Sequence, residues 1–318
     1  MTETVGSSCP PATVVITTKN RVEDLRKAVS SALAQSVSPE IIVVDDGSTD
    51  GTSEAMAREF PKVRVHREDQ SRGYIAQRNR GARLAKSPII FSIDDDAVFS
   101  SARVVEQTLR EFDHPRVGAV AIPFIDVNRS PEIKQRAPAA EDVFVGYSFI
   151  GTAHALRREL FLQLGGYREL LIHQGEEEDY CARMLAAGFV TRLGTADPIH
   201  HFESPRRNWT RMDYYGSRNK ILYSWWNVPL PFFPGHLAMT TAKTLTYCLH
   251  PGRFVTRLRG VLAGWSLGMS GRLGRHPVSP STYRLSRALK RRGATPIAEI
   301  EGSLGPGLRS PDFDFSKA

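Results

Sequence analysis

Cysteine is scarce in this chain: Cys9, Cys181 and Cys248 are scattered over 318 residues with no Cys-x-x-Cys pair. That spacing argues against a disulfide framework and against a cysteine-based zinc site. Long hydrophobic runs are missing too. No stretch approaches the roughly 18 uninterrupted apolar residues of a membrane span, and residues 1–11 carry no apolar core of the signal-peptide kind. A cytoplasmic location is the expectation. Acidic residues are absent from one large segment, since residues 229–292 hold 11 Lys/Arg and no Asp/Glu. The whole of the net charge of +8 therefore resides there, and the rest of the chain is slightly acidic. Such an excess points to an anionic partner: a membrane surface, a lipid phosphate or, with less support, nucleic acid. Leu258, Val261, Leu262, Trp265 and Met269 repeat at helical spacing in the same segment. Peripheral attachment to the inner face of the cytoplasmic membrane is one expectation. A helical hairpin packed on the rest of the chain, its charges solvated, is the other.

Short charge-free stretches alternate with amphipathic ones through the first 123 residues. Strands are expected at 13–18, 41–44, 63–66, 88–93 and 117–122, and helices at 22–35, 52–60, 75–85 and 104–112. Apolar strands alternating with helices predict an α/β fold with a mainly parallel sheet covered on both faces. Further helices are expected at 157–164, 178–187 and 209–225, and a short strand at 191–193. Residues 128–140 are polar and read as a loop or flap. The expected divisions are a flexible N-terminus (1–11), a main domain (12–228, its halves meeting near 123), a basic helical extension (229–292) and a tail (293–318).

In open sheets of this kind ligands bind beyond the carboxyl ends of the strands. Three motifs fall at such ends: Thr17-Thr18-Lys19-Asn20-Arg21, Asp45-Asp46-Gly47-Ser48-Thr49-Asp50 and Asp94-Asp95-Asp96. Adjacent carboxylates repel, so three in a row favour a hard cation that turns repulsion into ligation. A solvated turn or helix cap is the plainer account of the same run. The Asp45–Asp50 stretch has turn and cap chemistry, yet a carboxylate there is also placed to accept hydrogen bonds from a base or ribose. Glu176-Glu177-Glu178-Asp179 opens a helix, where acids are favoured by the macrodipole. Four in succession exceed what capping needs, and crowding raises a carboxylate toward the range of a general base. Arg183 is positioned to pair with Asp179 one turn on, which leaves Glu177 or Glu176 for chemistry. His200 and His201 follow the short strand expected at 191–193, and an imidazole can complete the coordination of Mn²⁺.

Five segments in this order, VVITTKNR (14–21), IIVVDDGSTDGT (41–52), GYIAQRNRGA (73–82), FSIDDDA (91–97) and GGYRELLIHQGEEEDYCARMLAAGF (165–189), resemble the family 2 glycosyltransferases of the GT-A fold. The likeness covers roughly residues 12–225. It implies a nucleotide-diphosphate sugar donor (UDP-, dTDP- or GDP-linked), a glycan or lipid-linked acceptor, and Mn²⁺ or Mg²⁺ as cofactor. Thr17 and Asp46 would hold the base and ribose, and Arg72 or Arg78 the nucleotide or its diphosphate. Asn20, Arg21 and Asp179 join that substrate-binding set. Asp94 or Asp95 would lie nearer the ribose and Asp96 on the metal, with Asp94 and His200 or His201 as further ligands. Glu177 would be the base. Glu stands there where the family usually has Asp, so Glu176 or Glu178 are alternatives. The Gln-x-x-Arg-Trp motif of processive members is absent, which argues for transfer of a single sugar; the single in-line displacement that the resemblance implies would invert the anomeric centre. Competing readings are a haloacid-dehalogenase-type phosphatase, on the strength of Asp45–Thr52, and a non-catalytic nucleotide-sugar or nucleic-acid binding protein.

Overall fold

The computed structural model describes residues 11–203, 208–246 and 251–306. In chain order the first half runs β1 (Ala12–Thr18), α1 (Val22–Leu33), β2 (Glu40–Asp45), α2 (Thr52–Glu59), β3 (Arg64–Arg67), α3 (Tyr74–Leu84), β4 (Ile89–Asp94), β5 (Ala97–Phe99), α4 (Val104–Arg110), β6 (Val117–Ala121) and β7 (Phe124–Asp126). Then follow β8 (Ile133–Lys134), β9 (Phe144–Gly146), β10 (His154–Arg157), α5 (Arg158–Gln163), α6 (Glu176–Ala186), β11 (Val190–Leu193) and β12 (Ile199–His201). The C-terminal part comprises α7 (Trp209–Asn227), α8 (Phe233–Thr246), α9 (Pro251–Met269), α10 (Pro280–Arg292) and β13 (Thr295–Pro296).

Nine strands form one sheet in the order β13-β9-β11-β6-β10-β4-β1-β2-β3. From β3 to β4 every pairing is parallel. Beyond β4 the sheet is mixed, because β10 runs antiparallel to both its neighbours and β9 to β11 and β13. Strand β1 shows why its apolar run is continuous. Val14 and Ile16 pack with Leu25, Val29 and Ala32 of α1, whereas Val15 faces Ile75 and Ala82 of α3. The period-two alternation thus feeds two cores, one on each face. Helix α3 comes close because residue 81 has no side chain; a Cβ on Gly81 would lie 2.3 Å from Val15 Cγ1.

Several elements were hidden from sequence patterning. Strand β10 is fully buried but ends in Arg157, whose guanidinium donates to the carbonyls of Val117 and Phe112. The expected flap at 128–140 contains β8, one edge of a second sheet ordered β5-β12-β7-β8. Gln135 anchors it, donating from Nε2 to Ile122 and Ala153 carbonyls and accepting from the Ile150 amide. The 293–318 tail is also corrected: Thr295 and Pro296 pair with β9, and Ile297 and Ile300 are buried in the main core. The remaining tail (307–318) and the N-terminal segment 1–10 lie outside the described residues.

The basic extension folds as helices against α7. The face α9 turns to α7 is a glycine ridge. A Cβ on Gly260, Gly264 or Gly268 would fall 2.3 Å from the Tyr214 carbonyl oxygen, 2.7 Å from Ile221 Cβ and 2.8 Å from the Trp225 ring, respectively. Several of its cations are structural. Arg253 and Arg257 both bind the Asp213 carboxylate, and Arg275 donates to the Trp225 and Val228 carbonyls. Of the predicted stripe Val261 is buried with Ile221 and Leu237, while Leu262 and Met269 are 58% and 65% exposed. Among the described residues no helix is long and apolar enough to cross a membrane.

Because the atom facing Gly260 is backbone, a methyl there must push the two helices apart. Gly260→Ala should lower unfolding stability by about 1–3 kcal/mol, the usual range for overpacking. Urea denaturation checks it, and an unchanged midpoint would mean that α9 is not seated through this ridge.

Candidate active site

The ends of β1, β2 and β4 and the start of α6 open into one cleft of about 850 Å³, lined among others by Thr17, Arg21, Asp46, Arg72, Arg78, Asp94, Asp95, Asp96, Glu177 and His201. Asp94 closes β4, and the chain turns through Asp95 and Asp96 into β5. Strand β12 pairs with β5 so that His201 lies opposite Ala97. That register decides between the two histidines: successive side chains alternate faces, and it is His201 whose Nε2 comes 3.3 Å from Asp96 Oδ1. His200 is not part of the cluster; donor atoms of Asp94, Asp96 and His201 all lie within 4.8 Å of one another. The other imidazole nitrogen, Nδ1, is 2.7 Å from Asp126 Oδ1 at the end of β7. A carboxylate behind a histidine orients the ring and raises its basicity. Sequence patterning overlooked Asp126, because nothing local in the stretch after residue 123 marks it.

The three acids differ in environment. Burial pushes Asp95 up to about 7, against the pull of Arg21 and with a further push from Asp96. Burial also acts to raise Asp96, but the hydrogen bond from His201 and the charge of Arg21 outweigh it and hold the group at about 2. Arg21 Nη1 lies 3.0 Å from Asp95 and 2.9 Å from Asp96, and Thr18 Oγ1 donates to Asp95 at 2.8 Å. Two carboxylates and an imidazole within reach of one point suit a divalent cation such as Mn²⁺. Arg21 supplies positive charge beside them.

On the facing wall Arg78, 4% exposed, joins the two acidic motifs. Its Nη2 lies 2.6 Å from Asp94 and its Nη1 3.0 Å from Glu176, and it stacks 4.7 Å above the Tyr74 ring. Glu176 is fully buried in this pairing and also accepts from the Tyr74 hydroxyl at 3.4 Å. Glu177 is the acid of the run that reaches the cleft. Burial, reinforced by the neighbouring Glu176 and opposed by Arg78, pushes its carboxyl up to about 8. Gly151 leaves room for both groups, since a Cβ there would lie 2.6 Å from Glu177 Oε1 and 2.7 Å from Arg78 Nη1. Glu178 turns to Tyr147 and Lys290 instead. Asp179, expected at the substrate, is 1% exposed and structural: it binds Arg183, as its spacing implied, together with Arg168 and Asn227.

Two further expectations change in detail. Asp46 lines the cleft, but its oxygens already accept from the Arg72 and Gly73 amides, the Ser71 hydroxyl and Gln77 Nε2. It shapes the turn that presents Arg72. Asn20 clasps two loops, donating its amide N–H to Ser48 Oγ and accepting from the Thr49 amide. The phosphatase reading fails at Asp45, which is fully buried and held by Ser48 and Ser53.

Residues 172–175 set the start of α6. Ile172, Gln174 and Gly175 all have positive φ (61°, 68° and 90°), which costs of order 1–3 kcal/mol at each non-glycine position. Helix α7 holds this strained turn: Asn219 Nδ2 donates to the carbonyls of Leu171, His173 and Gln174 at 2.9, 2.8 and 2.6 Å. Asn219 was also invisible in sequence, as an ordinary polar residue inside an aromatic-rich helix.

The Glycosyl transferase family 2 model matches residues 13–168. Succinoglycan biosynthesis protein ExoU of Rhizobium meliloti is 32% identical over 198 residues, 55% of this chain and 57% of that protein. The pre-mycofactocin glycosyltransferase of Mycobacterium tuberculosis is 29% identical over 66% of this chain and 47% of its own length. The chain thus spans about half the length of these curated relatives. The fold is similar to a mannosyltransferase from Pyrobaculum calidifontis in complex with GDP-Man and Mn²⁺ (TM-score 0.56, 19% identity, 92% of this chain and 81% of that one). It is also similar to S. aureus TarS 1-349 in complex with UDP-GlcNAc (TM-score 0.60, 16% identity, 88% of each chain). With five motifs in order, a GT-A architecture and an acid-lined cleft at its strand ends, the chain carries a family 2 glycosyltransferase domain over residues 13–168.

Proposed function

We propose that the protein transfers a single sugar from a nucleotide-diphosphate sugar to an acceptor hydroxyl, with inversion and with the help of a divalent cation. The observation that carries this reading is the pairing, in one cleft, of the Asp94–Asp96–His201 cluster with Glu177, a carboxyl pushed up to about 8. The Mn²⁺ and GDP-Man of the Pyrobaculum mannosyltransferase and the UDP-GlcNAc of TarS support the same assignment.

Asp94, Asp96 and His201 would hold the cation, with Asp126 fixing the imidazole. When bound, the cation neutralises charge developing on the departing diphosphate. Thr17 and Arg72 lie where they can meet the nucleotide, and Arg21 adds a second cation beside the acids. Glu177 accepts the proton of the attacking hydroxyl at its carboxylate oxygen. One in-line displacement inverts the anomeric carbon, and no covalent enzyme intermediate is required.

A base works only when ionised, so turnover should climb as pH rises toward about 8, the value for Glu177. Glu177→Gln should lose about 10²–10⁴-fold in kcat and lose that pH limb with it. Full turnover in this variant would assign the proton to another group.

Asp126→Asn keeps the shape behind His201 but removes its charge. Mn²⁺ affinity, read by titration calorimetry, should fall about 10–100-fold, as for comparable supporting carboxylates. Unaltered affinity would mean that the imidazole is positioned by β12 alone.

Peripheral attachment to an anionic bilayer is the second part of the reading. It is supported by the outward face of α9, where Val255, Leu262 and Met269 are 47%, 58% and 65% exposed and Arg259 lies between them. Basic residues near an anionic surface contribute about 1 kcal/mol each. Vesicles with anionic lipid should co-sediment the protein at low salt and release it at high salt. Binding indifferent to lipid charge, or none, would leave α9 a purely structural helix.

A further inference from the structure

A second cleft, of about 630 Å³, lies against the first and shares Ile150, Gln174, Glu177 and Met212 with it. Glu177 therefore stands in a wall between two chambers, and the second chamber holds none of the Asp94–Asp96–His201 cluster. One face of α7 forms much of its lining, with Trp209, Gly216, Lys220 and Tyr223 at spacings of three, four or seven residues. Gly216 lies against the Gln174 side chain that both clefts share; a Cβ there would sit 2.9 Å from Gln174 Oε1.

The charges of this chamber are unequal. Lys220, Arg253 and Arg257 line it, and Lys290 reaches its wall at Glu178. Apart from Glu177, its acids among the described residues are Asp213 and Glu178. Asp213 is bound by both Arg253 and Arg257. Glu178 is engaged by Lys290 at 3.2 Å and by the Tyr147 hydroxyl. Counted with Glu177, the three lining cations and Lys290 outnumber the three acids by one, and with Asp213 and Glu178 engaged by Arg253, Arg257 and Lys290, Lys220 is placed to meet an anionic guest. Aromatic and hydroxyl groups of Tyr147, Trp209 and Tyr223 beside it suit a sugar ring.

We propose that this second cleft is the acceptor site and that it selects a sugar carrying a phosphate or diphosphate group, with the anion seated at Lys220 and the attacking hydroxyl directed at Glu177. The proposal rests on the glycosyl-transfer reading above and adds the chemical class of the acceptor. A phosphate on a soluble sugar and a diphosphate linking a sugar to a polyprenyl lipid share that chemistry.

Calorimetry with glucose 1-phosphate and with uncharged methyl α-glucoside tests the charge preference, with a polyprenyl-diphosphate-linked glucose in detergent as the third probe. The charged probes should bind more tightly than methyl glucoside. Lys220→Met should weaken them about ten-fold or more, the loss of one charge-assisted hydrogen bond, whereas Lys220→Arg should restore most of the affinity. Methyl glucoside should be indifferent to both changes. Tighter binding of the lipid-linked probe than of glucose 1-phosphate assigns the lipid source, and the reverse assigns the soluble one. Equal affinity for charged and neutral probes, or charged-probe binding untouched by Lys220→Met, overturns the proposal. Binding of GDP-mannose and UDP-GlcNAc is measured separately. Its failure would count against the transfer reading, and the Lys220-dependent preference can be scored without it.

Discussion

The site hangs on one buried cation. Arg78 lies between Asp94, the last residue of a central strand, and Glu176, the first residue of α6, and it contacts both. An isolated guanidinium in this position would be very costly, and so would the fully buried Glu176 carboxylate alone. Together they offset much of one another's desolvation, although such a set adds little net stability. What it provides is distance. The nucleotide-side acids and the Glu177 segment belong to different parts of the chain, 16 and 98 residues from Arg78 in the pairings it makes. A fixed guanidinium turns them into one rigid wall. Removing it would leave the fully buried Glu176 carboxylate without its cation, a change that in comparable buried pairs costs about 3–5 kcal/mol.

Around that wall, strain and packing divide the work. The left-handed turn at Ile172 and Gln174 is unfavourable by itself, and Asn219 and Arg218 of α7 hold it by gripping its carbonyls. Helix α7 is in turn seated on the glycine ridge of α9. The C-terminal helices therefore support the geometry of Glu177 through two layers. Composition had marked that segment for its charge. Part of that charge is spent inside: Arg257 is 6% exposed, and Arg275 satisfies backbone carbonyls at the end of α7.

The parallel half of the sheet was legible because each strand feeds two cores, so a β-branched run with no charge has few other interpretations. Asp94–Asp96 and Glu176–Asp179 were legible as excess charge without local need. What the sequence withheld depends on pairing between distant strands. His201 differs from His200 only through the register of β12 on β5, and Asp126 matters only because β7 runs parallel to β12. Asp46 shows a different dependence on distant chain. It lines the cleft as a strand-end carboxylate, and its oxygens also accept from four groups of residues 71–77 that no local pattern ties to it. Asp179 was misplaced for a related reason, since a helix start turns neighbouring acids in different directions and only Glu177 reaches the cleft.

One of the two shortest strands has the widest reach. Thr295 and Pro296 cover the outer side of β9, and without them the large sheet would end at Val145 with open hydrogen-bonding groups. A bare strand edge is a template for another chain. Trimming the protein ahead of Thr295 to simplify its preparation would retain every group in the first cleft yet expose an adhesive border. Self-association, rather than lost chemistry, would be the first symptom of such a truncation.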